Sequence, residues 1–556
     1  MSMLLDLLKG LVRRGDSRRD SAGSPSAEDG VHVDGRTARD DAVSAVLKEA
    51  IEGAPREAAA HLKAARTLLA EGDVPKAFER LEAVLQSGLV NVDLALSLAQ
   101  AARLAGNADT AIEAYRLAAR LQPDTAYIPR ELGNLLVEQA RLDEAVAPYQ
   151  DAMTRDPNDL SAMVNLAVVY ETLSRLDEAE AVLKRVFEKT ASHPLAVVTL
   201  AKLMRRRGEV KAAIGLFEAV ATEPELNVAT EMSFELGRLY DQIDEPEKAF
   251  EQFSRGNQLH RQMLGSANAA PFLYEVAVVT DFVGSRDLKS VLPTSSSSTY
   301  RSPVFLIGFP RSGTTLLENV LDTHSRIQAL EERPMVTAML DHANELPGGY
   351  PEALMTLDDS DRYALQDTYF DIAERELGGA GSLDGVVLDK YPLNIVRVPL
   401  ILGAFPDARF ILAIRHPCDV VLSCFMQYFS SNVAMDSFLA LETTVALYVK
   451  VMTLWRLMIE RLPIPYHRIR YEDVVVDMRR EVGAVLEFMG LQWEETMEDY
   501  REHARLRGRI NTPSYHQVTQ SIYQRSSYRW LRYRRHLEPY MHELAPFIEY
   551  FGYEAV

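Results

Sequence analysis

The sequence predicts two unlike folds on one chain: an all-α array of repeated helix pairs over residues 55–262, and an α/β domain with a mainly parallel sheet over 303–556. Three observations carry this expectation. Small residues recur every 34 positions at Ala65, Ala99, Gly133, Ala167 and Ala201, and each has an alanine twelve residues on, at Ala77, Ala111, Ala145, Ala179 and Ala213. From 303 the text changes to short apolar runs alternating with helical stretches, the pattern of strands covered by helices. With 47% apolar residues in 556, the chain can fill more than one core.

In chain order, MSMLLDLLKGLVRRG places Leu4, Leu5, Leu8 and Val12 on one face of a short amphipathic helix, suited to docking or to a membrane surface. It is interrupted by charge and lacks a cleavage-site pattern, so no secretion signal is expected. Residues 16–42 are rich in Ser, Gly, Asp and Arg with little to bury, so 1–42 reads as a short helix and a disordered linker. No apolar run approaches the ~20 residues of a spanning helix. Cys418 and Cys424 are too few for a disulfide framework, and a reducing cytoplasm fits them. With 60 Lys and Arg against 80 Asp and Glu, the net charge of −20 argues against nucleic acid, whose backbone is bound by clustered cations. Any anion must then be held by a local basic pocket.

A sixth small pair, Gly237 and Ala249, continues the repeat with its frame shifted by two. Companion phrases such as NLAVVYETLSRLDEAEAVLKRVF recur in register. Small side chains let paired helices approach closely, and stacking buries what one pair cannot bury alone. This pattern resembles the tetratricopeptide repeat. The resemblance implies about six helix-turn-helix units curving into a superhelix, whose groove serves acceptor recruitment, dimerisation or plain support. Over 263–302 the repeat lapses and the text ends in PTSSSSTYRSP, read as a connecting segment.

The second domain is organised around VFLIGFPRSGTTLL, residues 304–317. An apolar run fit for a doubly covered strand passes through a turn into a helix from Leu316 to about Thr323, which presents backbone N–H groups and a helix N-terminus to one point. The spacing from Gly308 to Gly313 matches a Walker A loop, but Thr314 and Thr315 stand where a nucleotide triphosphatase needs Lys and Ser/Thr. Arg311 supplies a cation with a planar fork suited to phosphate or sulfuryl oxygens. Further strands are expected at 386–390, 409–415 and 467–472, and the loop helix is expected to run on into LDTHSRIQALEERP. In such sheets ligands sit beyond the carboxyl ends of strands, where Arg311, Lys390 and Arg415 fall. Arg415 and Ser423, eight apart across a strand-to-helix junction, can pinch one phosphate.

The spelling PRSGTT resembles the 5′-phosphosulfate loop of sulfotransferases that use 3′-phosphoadenosine 5′-phosphosulfate (PAPS), and FPDARFILAIRHPCDVVLSCFMQYF resembles their 3′-phosphate segment. Together with the repeats, the chain resembles bacterial tetratricopeptide-repeat sulfotransferases, with a catalytic domain similar to the tyrosylprotein enzymes. The resemblance implies that Arg311, Ser312, Gly313, Thr314 and Thr315 hold the 5′ end of PAPS and that Arg415 and Ser423 hold its 3′-phosphate. It implies that Tyr471 contacts adenine, and that Ser514 and Arg529, matching a family Ser and Lys, contact the cofactor phosphates. Sulfuryl transfer needs the acceptor deprotonated as it attacks, so Glu331 or Glu332 is a sensible general base. Both family registers point to Glu332. The family's Thr-Arg that follows is here Arg333-Pro334, leaving the arginine one place early. DKYPLN matches a family segment whose lysine, here Lys390, lies near the transferred group, where a fixed ammonium stabilises developing charge. The plain alternatives are a surface pair for the glutamates, a salt bridge from Lys390 to Asp389, and a solvated helix face for Arg525, Arg529, Arg532, Arg534 and Arg535.

The expected reaction is metal-free transfer from PAPS to a hydroxyl or phenol with release of the bisphosphate PAP, through Glu332, Arg311 and Lys390. The likeness to tyrosylprotein enzymes and a peptide-sized groove favour a protein or peptide tyrosine; carbohydrate and small phenols stay open as acceptors. A nucleotide kinase and an inactive repeat scaffold are the rival classes, and a homodimer stays open for the chain.

Overall fold

The computed structural model describes residues 92–292, 302–500 and 527–554, with short breaks at 105, 191–192, 219–223, 266–267, 291 and 378–384, and parts of 60–80. The expected N-terminal helix and linker, and Ser514 with Arg525, lie outside the described residues. Two compact units divide between Pro224 and Glu225.

The first unit is a train of helix pairs: α1 (Val92–Leu104) with α2 (Ala108–Leu121), α3 (Tyr127–Glu138) with α4 (Leu142–Arg155), α5 (Leu160–Thr172) with α6 (Leu176–Lys189), and α7 (Pro194–Arg206) with α8 (Val210–Glu218). The recurring alanines are fully buried, from Ala65 and Ala77 to Ala201 and Ala213. At Gly133 a Cβ would stand 2.7 Å from the Tyr149 ring, so the close crossing of α3 and α4 requires the missing side chain. Each pair turns through a left-handed residue, again 34 apart: Gly106, Ala140, Ser174 and Gly208. The following N–H reaches back five residues, as from Asn107 to Ala102 and from Arg141 to Leu136, both at 2.8 Å, which closes the first helix of the pair.

The second unit opens with one more pair, α9 (Leu226–Gln242) and α10 (Pro246–Leu264). It carries the shifted frame. A Cβ on Gly237 would meet the Phe253 ring at 2.8 Å, Ala249 is fully buried, and the left-handed residue is Asp244. This pair packs on the α/β fold that follows: Asn257 donates to the Phe425 carbonyl at 2.8 Å, and the Phe250 ring stacks on Phe425 and His536. The expected connecting segment holds a helix, α11 (Ala270–Ser285), whose Phe272, Val276, Val279 and Val283 recur at helical spacing and enter the main core.

Five strands form one parallel sheet: β1 (Val304–Gly308), β2 (Ile327–Glu331), β3 (Val386–Lys390), β4 (Arg409–Ile414) and β5 (Tyr466–Arg470), in the order β2-β3-β1-β4-β5. The loop helix expected over Leu316 to about Thr323 is α12 (Thr314–Leu321), and in the segment it runs into IQALE forms the edge strand β2, which the sequence reading does not anticipate. Five residues at an edge are too short for their periodicity to stand out. Strand β1 is central and buried at every position. Phe305 and Ile307 face one core, packed by α13 (Met335–Glu345), α14 (Asp359–Glu376), α15 (Val398–Ala404), α16 (Pro417–Phe425) and α17 (Leu441–Arg461). Val304 and Leu306 face the other, filled by α12 and by α19 (Met478–Met489), which follows α18 (Tyr471–Val476). Because β3 and β4 flank β1, the strand order reverses there, and a crevice opens at its carboxyl end.

Candidate active site

Strand β1 runs out at Gly308, and residues 309–313 turn into α12. Both loop glycines are demanded by close approaches: a Cβ on Gly308 would lie 2.5 Å from the Ala413 carbonyl oxygen, and one on Gly313 would lie 2.7 Å from the Tyr471 ring. Gly313 is left-handed, at φ +94°, and starts α12 with no side-chain cap, so the first N–H groups of that helix face the loop. Gly313→Ala should therefore cost about 1–3 kcal/mol in thermal unfolding, through strain and displacement of Tyr471.

Arg311 is itself left-handed, at φ +71°, without being glycine. Such strain persists only where the surroundings over-determine it. Here the half-buried guanidinium donates from Nε to Ser423 Oγ at 3.1 Å, and the Arg311 carbonyl accepts from Arg415 Nη1 at 3.4 Å. Arg415 lies 4.9 Å over the Tyr471 ring, with Asp419 Oδ2 at 3.9 Å from its Nη2. The two phosphate signals of the sequence, the loop and the Arg-to-Ser pair, are thus joined directly. Burial pushes Arg311 down to about 10; the charges of Arg415, Arg529 and Arg238 push the same way, while Cys424 opposes them. A guanidinium so crowded by others favours an anion as its guest. Ser312, Thr314 and Thr315 are buried, and Tyr471 opens α18 against the loop. Arg529 is paired with Asp241, at 3.0 Å from Nη2. Both cysteines are free and buried.

A second cluster sits at the ends of β2 and β3. Lys390 Nζ, fully buried, lies 2.8 Å from Glu332 Oε1, 3.3 Å from Glu318 Oε2 and 3.9 Å from Glu331 Oε1. Glu331 is paired with Lys390 in the sheet register. Adjacent residues on a strand point to opposite faces, yet Glu332 also reaches the ammonium, because its φ of +45° turns it back. The two glutamates are not a surface pair: the Glu331 side chain is 7% exposed and that of Glu332 40%, so Glu332 is the one a solute can reach. Burial alone would lower the Lys390 pKa, but Glu318, Glu332 and Glu331 outweigh it and the result is raised. Asp389, the partner considered from sequence, points to the other face and accepts from Tyr369 at 3.1 Å. Burial pushes Asp389 up to about 7. Arg333, one place early against the family pattern, pairs with Glu376 at 3.1 Å.

Residues 303–495 match the sulfotransferase family model, while 62–126 and 136–203 match tetratricopeptide-repeat models. The chain is built of tetratricopeptide repeats and a sulfotransferase-family domain. An uncharacterized protein of Aquifex aeolicus (strain VF5) is 25% identical over 421 residues, 73% of this chain and 53% of its own length. Protein-tyrosine sulfotransferase 2 of Gallus gallus is 23% identical over 217 residues, 36% of this chain and 54% of its own. The chain thus spans about half the length of these curated relatives. Among solved structures, the sulfotransferase domain of the Synechococcus PCC 7002 olefin synthase covers 48% of this chain and 100% of that domain, at 20% identity and a TM-score of 0.33.

Three residues of the sulfotransferase unit escaped the sequence reading. Glu318 projects from α12 into the buried Lys390 cluster, and a lone acid inside the apolar helix TTLLENVL was its signal. Asp419 follows Arg415 by four and accepts from the N–H groups of Tyr528 and Trp530. Asp241 lies on a repeat helix, where nothing in the local text ties it to the site.

Proposed function

We propose that this chain transfers the sulfuryl group of PAPS to a hydroxyl or phenol, with tyrosine in a protein or peptide as the favoured acceptor. The observation that carries the reading is the cationic crowd at the loop, Arg311 with Arg415 and Arg529, in a chain of net charge −20. Its donor set suits a doubly phosphorylated nucleotide: two planar guanidinium forks, a hydroxyl at Ser423, and the uncapped start of α12. PAPS supplies an activated sulfuryl group whose leaving group is the stable bisphosphate PAP.

In this reading Arg311 and the backbone of Ser312, Gly313, Thr314 and Thr315 bind the 5′ end. Arg415, Ser423 and Arg529 bind the 3′-phosphate, Tyr471 borders the adenine, and Ser514 adds a phosphate contact. Lys390 stabilises charge on the bridging oxygen, and Arg311 assists it. Glu332 takes the acceptor proton. The repeats recruit the acceptor. The test is incubation with sulfur-35 PAPS or with γ-labelled ATP, in the presence of tyrosine peptides, oligosaccharides and simple phenols. Label from PAPS on peptide tyrosine is expected. Label only on sugar or phenol overturns the acceptor class, and label only from ATP overturns the reaction.

A further inference from the structure

The turn that carries Arg529 is held from two sides by carboxylates. On one side Asp419, from the helix that bears Ser423, accepts the backbone N–H groups of Tyr528 and Trp530 at 2.7 and 2.8 Å. On the other, Asp241, near the end of repeat helix α9, accepts Arg529 Nη2 at 3.0 Å and Nε at 3.2 Å, Arg532 Nη2 at 2.9 Å and the Tyr533 hydroxyl at 2.6 Å. Tyr528 between them is left-handed, at φ +57°. A bulky residue keeps that conformation only where its neighbours fix it, and these two clamps do so.

The way Asp241 grips Arg529 matters. The carboxylate takes the Nε and Nη2 edge side-on, and among the described residues Nη1 has no partner. A guanidinium so held presents its remaining donors in one fixed direction. Arg529 stands close enough to Arg311 for their charges to repel, and its turn is tied through Asp419 to the helix that bears Ser423; Arg238, one turn before Asp241 on α9, adds a further positive charge near Arg311. The last repeat pair therefore supplies both a charge and a clamp to the loop of the sulfotransferase unit.

We propose that Asp241 is a positioning residue for Arg529, and that the last repeat pair is part of the PAPS-binding apparatus as well as of the repeat array. This rests on the PAPS reading above. Were Asp241 instead a competitor that keeps Arg529 away from phosphate, its removal would tighten binding, so the sign of the effect decides between the two.

The experiment is calorimetric titration of PAP into the full chain, as wild type, Asp241→Asn, Arg529→Gln and the double variant, with KM for PAPS and kcat beside it. Asp241→Asn should weaken PAP about tenfold, the size of a weakened charge-assisted hydrogen bond, and raise KM while leaving kcat within about twofold. In the Arg529→Gln background the same change should add less than about twofold, because the two residues act as one unit. Asp241→Glu, which keeps the charge, should recover part of the loss. Unchanged or tighter binding in Asp241→Asn, or a full additive loss in the double variant, overturns the inference while the PAPS reading stands. Wild type that binds no PAP overturns both. Should Asp241→Asn melt below the assay temperature, Arg529→Gln carries the test: about tenfold weaker PAP binding at an unchanged melting temperature is expected, and undiminished binding overturns the inference.

Discussion

Lys390→Met is expected to lower turnover about 10²–10³-fold, and to destabilise the sulfotransferase unit by about 3–5 kcal/mol. The two losses have separate origins. In the proposed reaction, turnover falls because the ammonium is lost where charge develops on the bridging oxygen. Stability falls because Glu318 and Glu331, 1% and 7% exposed at their side chains, would lose the buried cation they face. Chemical denaturation checks the second effect, and single-turnover transfer from saturating PAPS the first. A variant as stable as wild type would show that the cluster holds itself together without its cation.

Glu332→Gln should behave differently. It is expected to reduce kcat about 10²–10⁴-fold while leaving PAP affinity and melting temperature nearly unchanged. Glu332 is the most exposed of the three carboxylates around Lys390, and after its removal the ammonium keeps Glu318 and Glu331. Because Glu332 itself is 40% exposed and the buried ammonium stays paired without it, little stability rests on its carboxylate. Glu331→Gln is the companion: more deeply buried and fixed by the sheet register, it should cost stability more than turnover. If Glu332→Gln turns over at the wild-type rate, the base lies elsewhere. If Glu331→Gln alone abolishes turnover, the two glutamates exchange roles.

These expectations depend on features of unequal visibility in the sequence. The repeat frame was plain, because close helix crossings leave no room for anything but Ala or Gly and the spacing repeats. Its turns were not, since Ala140 and Ser174 take the left-handed position that Gly106 and Gly208 announce. The loop could be read from its glycines, and the strands at 386–390 and 409–414 from their apolar runs. Strand β2 was lost in a five-residue edge segment, and α11 behind the Ser-rich stretch that follows it. The candidate residues Arg311, Arg415 and Ser423 come together as their motif order implied. The pairing of Glu318 with Lys390, and that of Asp241 with Arg529, join segments about 70 and 290 residues apart, which no local pattern encodes. Nor does a sequence show that Glu332 adopts a positive φ, which turns the neighbour of a strand-end glutamate back to the same lysine.

The apolar and polar layers of the second unit explain why the charged residues collect where they do. Strand β1 and the interior of β4 face two cores and carry no charge, so the cations of these segments collect where the strands stop. Arg311, Lys390 and Arg415 each follow or end a different strand of the central three, which brings their charges to one rim.

The most direct measurement is a crystal structure of the full chain soaked with PAP. The account predicts the 5′-phosphate against the backbone of residues 312–315 and the 3′-phosphate between Arg415, Ser423 and Arg529. A nucleotide bound away from Gly313 and Ser423, with that rim left to solvent, would contradict it.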